Sequence, residues 1–243
     1  MIAEAIRWIL KLDGRVLIKP RYHWGVDPFA DIRRFAGALN IEVKSFFDVG
    51  AHEGETAIRA LVELPGSTVV SFEPHPATFA RLCSKMRRAN GFVAVNSAVG
   101  NVFSDVMMTE YSFTKMNSLI ENAPTAIRYG NQGTQIAVKC TTLDLYCKEN
   151  QVASIDVLKI DTEGFDLIVL EGATELLKRR AIRFIYVEFN DLEPLVGAIG
   201  GALLPIDSFL RPFGFRFATS YLDSAQTEGK LFFSSNALFV LQP

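Results

Sequence analysis

The sequence predicts an α/β fold: a mostly parallel sheet with helices on both faces, joined at one edge by an antiparallel C-terminal strand pair. Three observations carry this. From Val43 onward, apolar runs of strand length alternate with segments of helical periodicity, the pattern of successive βα units. The strand runs are almost continuously apolar, as expected of strands covered on both faces. Near the end, two aromatic-rich runs at 213–219 and 236–241 follow one another with only a polar stretch, 223–230, between them. Strands joined without a helix suit an antiparallel pair added to a parallel sheet.

The elements follow in order. Residues 1–12 mix apolar and charged positions, Glu4 and Arg7 among them, and read as a short amphipathic helix rather than a signal peptide. Gly14, Pro20, Gly25 and Pro28 break up the next stretch, and Asp27-Pro28 starts a helix over about 29–39. Residues 1–40 are thus expected to be a helical or irregular appendage to a domain spanning 41–243. Within that domain strands are expected near 44–49, 67–72, 92–96, 155–160 and 182–189. Helices are expected near 54–63, 76–89, 141–150 and 166–178. Residues 104–134 lack clear periodicity and read as a long loop. Its Tyr111, Phe113, Met116 and Tyr129 either line a substrate site or cover the core.

The first strand ends in Asp48, and the glycines Gly50 and Gly54 follow four apart before a helix begins. Such a turn, Gly50-Ala51-His52-Glu53-Gly54, aims backbone N–H groups and the positive end of a helix at a bound ligand. The second strand ends in Glu73-Pro74, about 20 residues on, where an acid suits ribose hydroxyls. An adenosine-containing cofactor is the reading of this pair. Dinucleotides want G-x-G-x-x-G, and His52 stands where the middle glycine belongs. S-adenosylmethionine has no pyrophosphate. Its needs match Asp48, the 50–54 turn and Glu73, with Ser97 and Ala98 after the third strand beside the adenine edge.

A second motif ends the strand at 155–160. Asp161 and Glu163 follow Lys159-Ile160, and the next strand ends in Glu188-Phe189-Asn190. Ligands in open α/β sheets bind outside the carboxyl ends of the strands, so these acids gather at the edge that carries the glycine turn. S-adenosylmethionine donates a methyl group, and an acceptor must be aligned with that methyl and relieved of its proton. Asp161 or Glu163 is the candidate base, with His52 as the alternative; a hydrogen bond within the turn would equally explain His52. Asp161, Glu188 and Asn190 are also hard oxygen donors that Mg²⁺ could use, but the same acids serve as base and helix caps, and a metal is not favoured.

The motifs Asp48-Val-Gly-Ala-His-Glu-Gly54, Phe72-Glu73-Pro74, Thr142-Leu143-Asp144, Leu158-Lys159-Ile160-Asp161-Thr-Glu163-Gly164, Leu170-Glu171-Gly172-Ala173 and Val187-Glu188-Phe189 come in this order. Together they resemble the FkbM family of S-adenosylmethionine-dependent methyltransferases over about 44–190. The resemblance implies a Rossmann-like class I methyltransferase sheet of seven strands and O-methylation of a sugar, polyketide or other natural-product hydroxyl. By position it implies that Asp48, Gly50, Gly54 and Glu73 hold the cofactor while Asp161 and Glu163 face a small-molecule or glycan acceptor.

Composition narrows the alternatives. A net charge of −2 gives no general attraction to nucleic acid or anionic membrane. No Pro-Pro-Tyr-type segment for a flipped base stands at 188–191, so a nucleic-acid methyltransferase is not expected. No apolar run reaches the ~20 residues of a membrane span, and no stable membrane insertion is expected. Three cysteines without metal-like spacing suit free thiols in a reducing, cytoplasmic setting. A cofactor-binding scaffold without activity is the non-enzymatic alternative. The intact set Asp48, Glu73 and Asp161 speaks against it.

Overall fold

The computed structural model describes residues 24–111, 117–119, 133–190, 202–226 and 232–243. The expected helix at 1–12 and most of the expected 104–134 loop lie outside these residues. In chain order the elements are α1 (Pro28–Leu39), β1 (Ser45–Val49), α2 (Glu55–Glu63), β2 (Thr68–Phe72), α3 (Pro76–Met86) and β3 (Phe92–Val95). Then come β4 (Ala98–Val99), β5 (Ser104–Glu110), β6 (Thr134–Thr141), α4 (Leu143–Glu149), β7 (Ile155–Ile160), α5 (Asp166–Glu171) and α6 (Thr174–Lys178). The last are β8 (Ile182–Asn190), α7 (Leu203–Leu210), a 3₁₀ turn at Arg211–Phe213, β9 (Phe215–Gln226) and β10 (Phe232–Leu241).

Seven strands form one sheet in the order β3-β2-β1-β7-β8-β10-β9. The first five are mutually parallel, and β10 runs antiparallel to both β8 and β9. The sheet is α/β with an antiparallel C-terminal pair, as its sequence predicts. Alternate residues of each strand serve opposite faces. On one face Phe47, Leu158, Ile160 and Ile185 pack against Val169 and Leu170 of α5 and Leu176 and Leu177 of α6. On the other, Phe46, Val69, Val157 and Phe184 meet α1, α2 and α3. This two-sided burial is why the strand sequences read as unbroken apolar runs; each fully buried Phe or Leu contributes about 1.5–3 kcal/mol.

Helix α1 begins where its caps dictate. The Asp27 side chain accepts from Ala30 N at 2.9 Å, Pro28 opens the first turn, and Asn40 ends the helix at φ 53°. Phe29 of α1 stacks on Phe46 with ring centroids 5.8 Å apart. Asp31, fully buried, accepts from Gly25 N at 2.8 Å and from the Tyr221 hydroxyl of β9 at 2.9 Å, tying α1 to the far edge of the sheet.

Several local expectations change. The start of the expected loop is strand β5, which pairs with the unexpected β6 and, through it, with β4 in a separate three-stranded sheet. The helix expected over 166–178 is two helices. Its break falls at Gly172, where a Cβ would lie 1.9 Å from the Gly100 carbonyl oxygen, so the backbones touch there and only glycine fits. Strand β9 runs on through residues expected to be loop, bringing Asp223 with it. All three cysteines are free thiols. No helix among the described residues is long and apolar enough to cross a membrane.

Candidate active site

A cavity of about 340 Å³ opens at the carboxyl ends of β1, β2, β7 and β8. It lies where the strand order reverses beside β1, the switch point at which such sheets bind ligands. One side wall comes from the small sheet: Ser97, Ala98, Val99 and Met108, with Asn117 and Leu119. Of the residues expected from sequence, Gly50, Ala51, His52, Glu73, Pro74, Ser97, Ala98, Asp161 and Glu163 line the cavity. Asp48 and Gly54 do not.

The turn after β1 has the conformation its glycines allow. Gly50 stands at φ 80° and His52 at φ 47°, in the left-handed region. A Cβ at Gly50 would lie 1.8 Å from the Asp161 carbonyl oxygen, so glycine lets the two strand ends close on one another. Gly50 N and Ala51 N both donate to Phe72 O, at 3.1 and 3.0 Å. Gly54 is the N-cap of α2 and packs against Leu82, supporting the turn from behind.

Glu73 is held from two sides. One carboxylate oxygen accepts from His52 N and the other from His75 N, each at 2.9 Å. Burial pushes this carboxyl up to about 7, although the two N–H donors pull it down. Each oxygen keeps one lone pair for a ligand hydroxyl. His75 is structural: its ring accepts from Thr78 N to cap α3, and Nε2 meets Glu110 Oε1 at 2.9 Å.

At the other end of the cavity three carboxylates converge. Single oxygens of Asp161, Glu163 and Glu188 lie within 4.8 Å of one another. Glu188 comes from strand β8, and the turn that carries Asp161 and Glu163 is built by Asp166, whose two oxygens accept from Thr162 N and Gly164 N at 3.2 Å each. That turn holds Glu163 at φ 54°, a conformation that non-glycine residues seldom keep without enforced contacts. Ser118 Oγ also donates to Glu163 O at 3.2 Å. Burial, then the Asp161 charge, pushes the Glu163 carboxyl up to about 8. The same two causes raise Glu188 well above the carboxylate range, against a hydrogen bond from Ser234 Oγ at 2.7 Å. The spacing would also suit a divalent cation. The Asn190 side chain, counted among possible ligands from sequence, lies outside the described residues.

Lys159 and Asp223 are cavity residues that sequence reasoning did not assign. Lys159 Nζ lies 3.1 Å from Asp161 Oδ2 and 3.4 Å from Asp48 Oδ1. Asp48 is fully buried behind the cavity wall, so it reaches the site only through this lysine. The signal was present: Lys159 is a cation in a strand otherwise buried on both faces, where a charge needs a partner. Asp223 was hidden by the polar stretch read as loop.

The sequence matches the methyltransferase FkbM domain over residues 48–217. Three relatives share 27% identity with it. The first is the 2-O-methyltransferase NoeI of Sinorhizobium fredii, over 63% of this chain and 65% of that protein. The second is the hexuronic acid methyltransferase AglP of Haloferax volcanii, over 59% and 55%. The third is the 31-O-demethyl-FK506 methyltransferase FkbM of Streptomyces tacrolimicus, over 70% and 71%. The match thus spans less than two thirds of the first two relatives. The domain match covers well over half of the sequence, and the chain belongs to the FkbM methyltransferase domain family.

Proposed function

We propose that the protein is an S-adenosylmethionine-dependent O-methyltransferase acting on a hydroxyl of a sugar, polyketide or other natural product. The observation that carries this is the division of one cavity into two ends. A buried acid fixed by two backbone N–H groups stands at one end, and a carboxylate cluster stands at the other. The residues present fit the cofactor: Glu73 keeps lone pairs for a ribose diol, the 50–52 turn offers a close backbone, and Ala98, Val99 and Met108 supply an apolar wall for adenine. When bound, this cofactor supplies an electrophilic methyl group. The relatives' named activities, at 2-O and 31-O positions and on a hexuronic acid, support an oxygen acceptor.

The chain's own residues have two tasks. Glu73, Pro74 and the turn orient the nucleoside, the alignment on which an in-line displacement depends. At the far end Asp161 or Glu163 accepts the proton of the acceptor hydroxyl. Lys159 Nζ, 3.1 Å from Asp161 Oδ2, anchors that side chain beside the cavity. His52 contributes its backbone N–H to Glu73 and thereby serves the cofactor end. A metal ion is not part of the proposal, because an ammonium already stands against Asp161. Calorimetry with S-adenosylmethionine and its demethylated product tests the cofactor, and binding of neither refutes it. A screen of glycans and polyketides with methyl-labelled cofactor tests the acceptor class.

A further inference from the structure

We propose that Asn117 is a side chain that reads the purine of the cofactor: its amide Nδ2–H donates to a ring nitrogen of adenine from the wall made by the small sheet. This rests on the cofactor class proposed above.

Residues 117–119 add a short antiparallel pairing to β5. Thr109 N donates to Ser118 O at 2.8 Å, and Ser118 N donates to Thr109 O at 3.2 Å. Neighbouring residues of an extended segment face opposite ways. Asn117 and Leu119 line the cavity, while Ser118 is buried and its hydroxyl donates to Glu163 O at 3.2 Å. The segment is thus held from both sides.

The Asn117 amide has one orientation. Tyr111 N donates to Asn117 Oδ1 at 2.8 Å, and only the oxygen of an amide accepts a hydrogen bond, so Nδ2 takes the other position. Nδ2 is buried and meets no acceptor among the described residues. A buried donor left unpaired is costly, so an amide of this kind on a cavity wall calls for an acceptor on the ligand.

The surrounding wall fixes the kind of acceptor. Ala98, Met108 and Leu119 pack in one apolar cluster, and all three line the cavity. An apolar wall bordered by an amide N–H suits the face and edge of a flat heteroaromatic ring. Of the cofactor's parts only adenine is such a ring, and its N1, N3 and N7 accept without donating. Ser97, on the same wall, is committed elsewhere. Its Oγ lies 2.8 Å from Ala98 O and 3.1 Å from Lys139 O, so its one proton goes to the backbone.

The test needs no methyl acceptor. Titration calorimetry of the full chain compares S-adenosylhomocysteine with its 1-deaza, 3-deaza and 7-deaza analogues, each of which carries C–H in place of one ring nitrogen. Asn117→Asp keeps an oxygen for Tyr111 N and removes the donor. It should weaken S-adenosylhomocysteine roughly 3–10-fold. For one of the three analogues the gap between wild type and variant should close, because the acceptor atom is already gone. Backbone groups that meet the other nitrogens affect wild type and variant alike and drop out of the comparison. Asn117→Ala repeats the cycle without a carboxylate. Equal affinity of wild type and both variants overturns the proposal, and turnover lost alongside would give the amide to the methyl acceptor. A gap of the same size for S-adenosylhomocysteine and all three analogues also overturns it, because Asn117 would then shape the wall without touching adenine. Unfolding of both variants would show that the amide holds the fold, and overturns it as well. Failure of wild type to bind S-adenosylhomocysteine would instead refute the cofactor class itself.

Discussion

Replacing Lys159 by methionine isolates the buried charge that links the two ends of the site. Lys159 is 5% exposed and Asp48 is fully buried. Burial lifts the Asp48 carboxyl despite the lysine, whereas Lys159 is held cationic despite burial. The asymmetry has a simple source: among the described residues the ammonium has two carboxylates, while Asp48 has this one cation, at 3.4 Å. Removing one member of a buried pair strands the other and costs about 3–5 kcal/mol. For a chain of this size that corresponds to a fall in melting temperature of roughly 6–20 °C. The double variant Asp48→Asn with Lys159→Met has no stranded charge and should recover to within about 1–2 kcal/mol of wild type. Chemical denaturation of wild type, single and double variants measures all three. A single variant within about 1 kcal/mol of wild type, or a double variant no better than the single, would refute the assignment of Lys159 as the counter-ion of Asp48.

Other outcomes follow from the same geometry. Glu73→Ala should weaken S-adenosylmethionine binding by about 1–3 kcal/mol, the scale of lost hydrogen bonds to a charged group; unchanged affinity by calorimetry would remove Glu73 from the cofactor site. Asp161→Asn or Glu163→Gln should lower turnover with a competent acceptor by roughly 10²–10⁴-fold and change cofactor affinity less. Loss of affinity in step with rate would move that residue to the cofactor end. Stability should fall with rising pH. Glu163 near 8 and Glu73 near 7 stay protonated in the fold where the unfolded chain, near 4.5, has ionised. Their contribution is full below about pH 4.5 and is lost as pH climbs toward 8. Thermal melts across that window should decline for wild type and decline less for Glu163→Gln, and a rising wild-type profile would contradict the buried acids.

The parallel core was legible because two-sided burial writes itself as unbroken apolar runs, and the glycine turn because sharp backbone geometry demands particular residues. The small sheet was not. Strand β5 reads Ser-Asp-Val-Met-Met-Thr-Glu, polar at both ends with Met107 exposed, so neither period stands out. In β6 the alternation of Ile136, Val138 and Cys140 was there to be read, but only one face is covered. The split between α5 and α6 depends on Gly100 touching Gly172 across the fold, which no local pattern reports. Within the site, Glu73, Asp161 and Glu163 were legible as acids at strand ends. Asp48 was legible as an acid but not as a buried one, because its distance from the cavity depends on the register that sets Lys159 beside it.

Strand β10 follows β9 in the chain yet lies between it and β8. Until β10 pairs with it, β8 has an open edge, and β9 joins the sheet only through β10. The contacts that hold Glu73 do not involve β10, whereas the Ser234 contact of Glu188 does. Glu188 gains its Ser234 contact only when β10 pairs with β8. Any stretch of time spent with β8 uncapped also offers its backbone to neighbouring chains, the usual entry to misassociation. One pairing, β10 on β8, thus closes that open edge and completes the surroundings of Glu188 together.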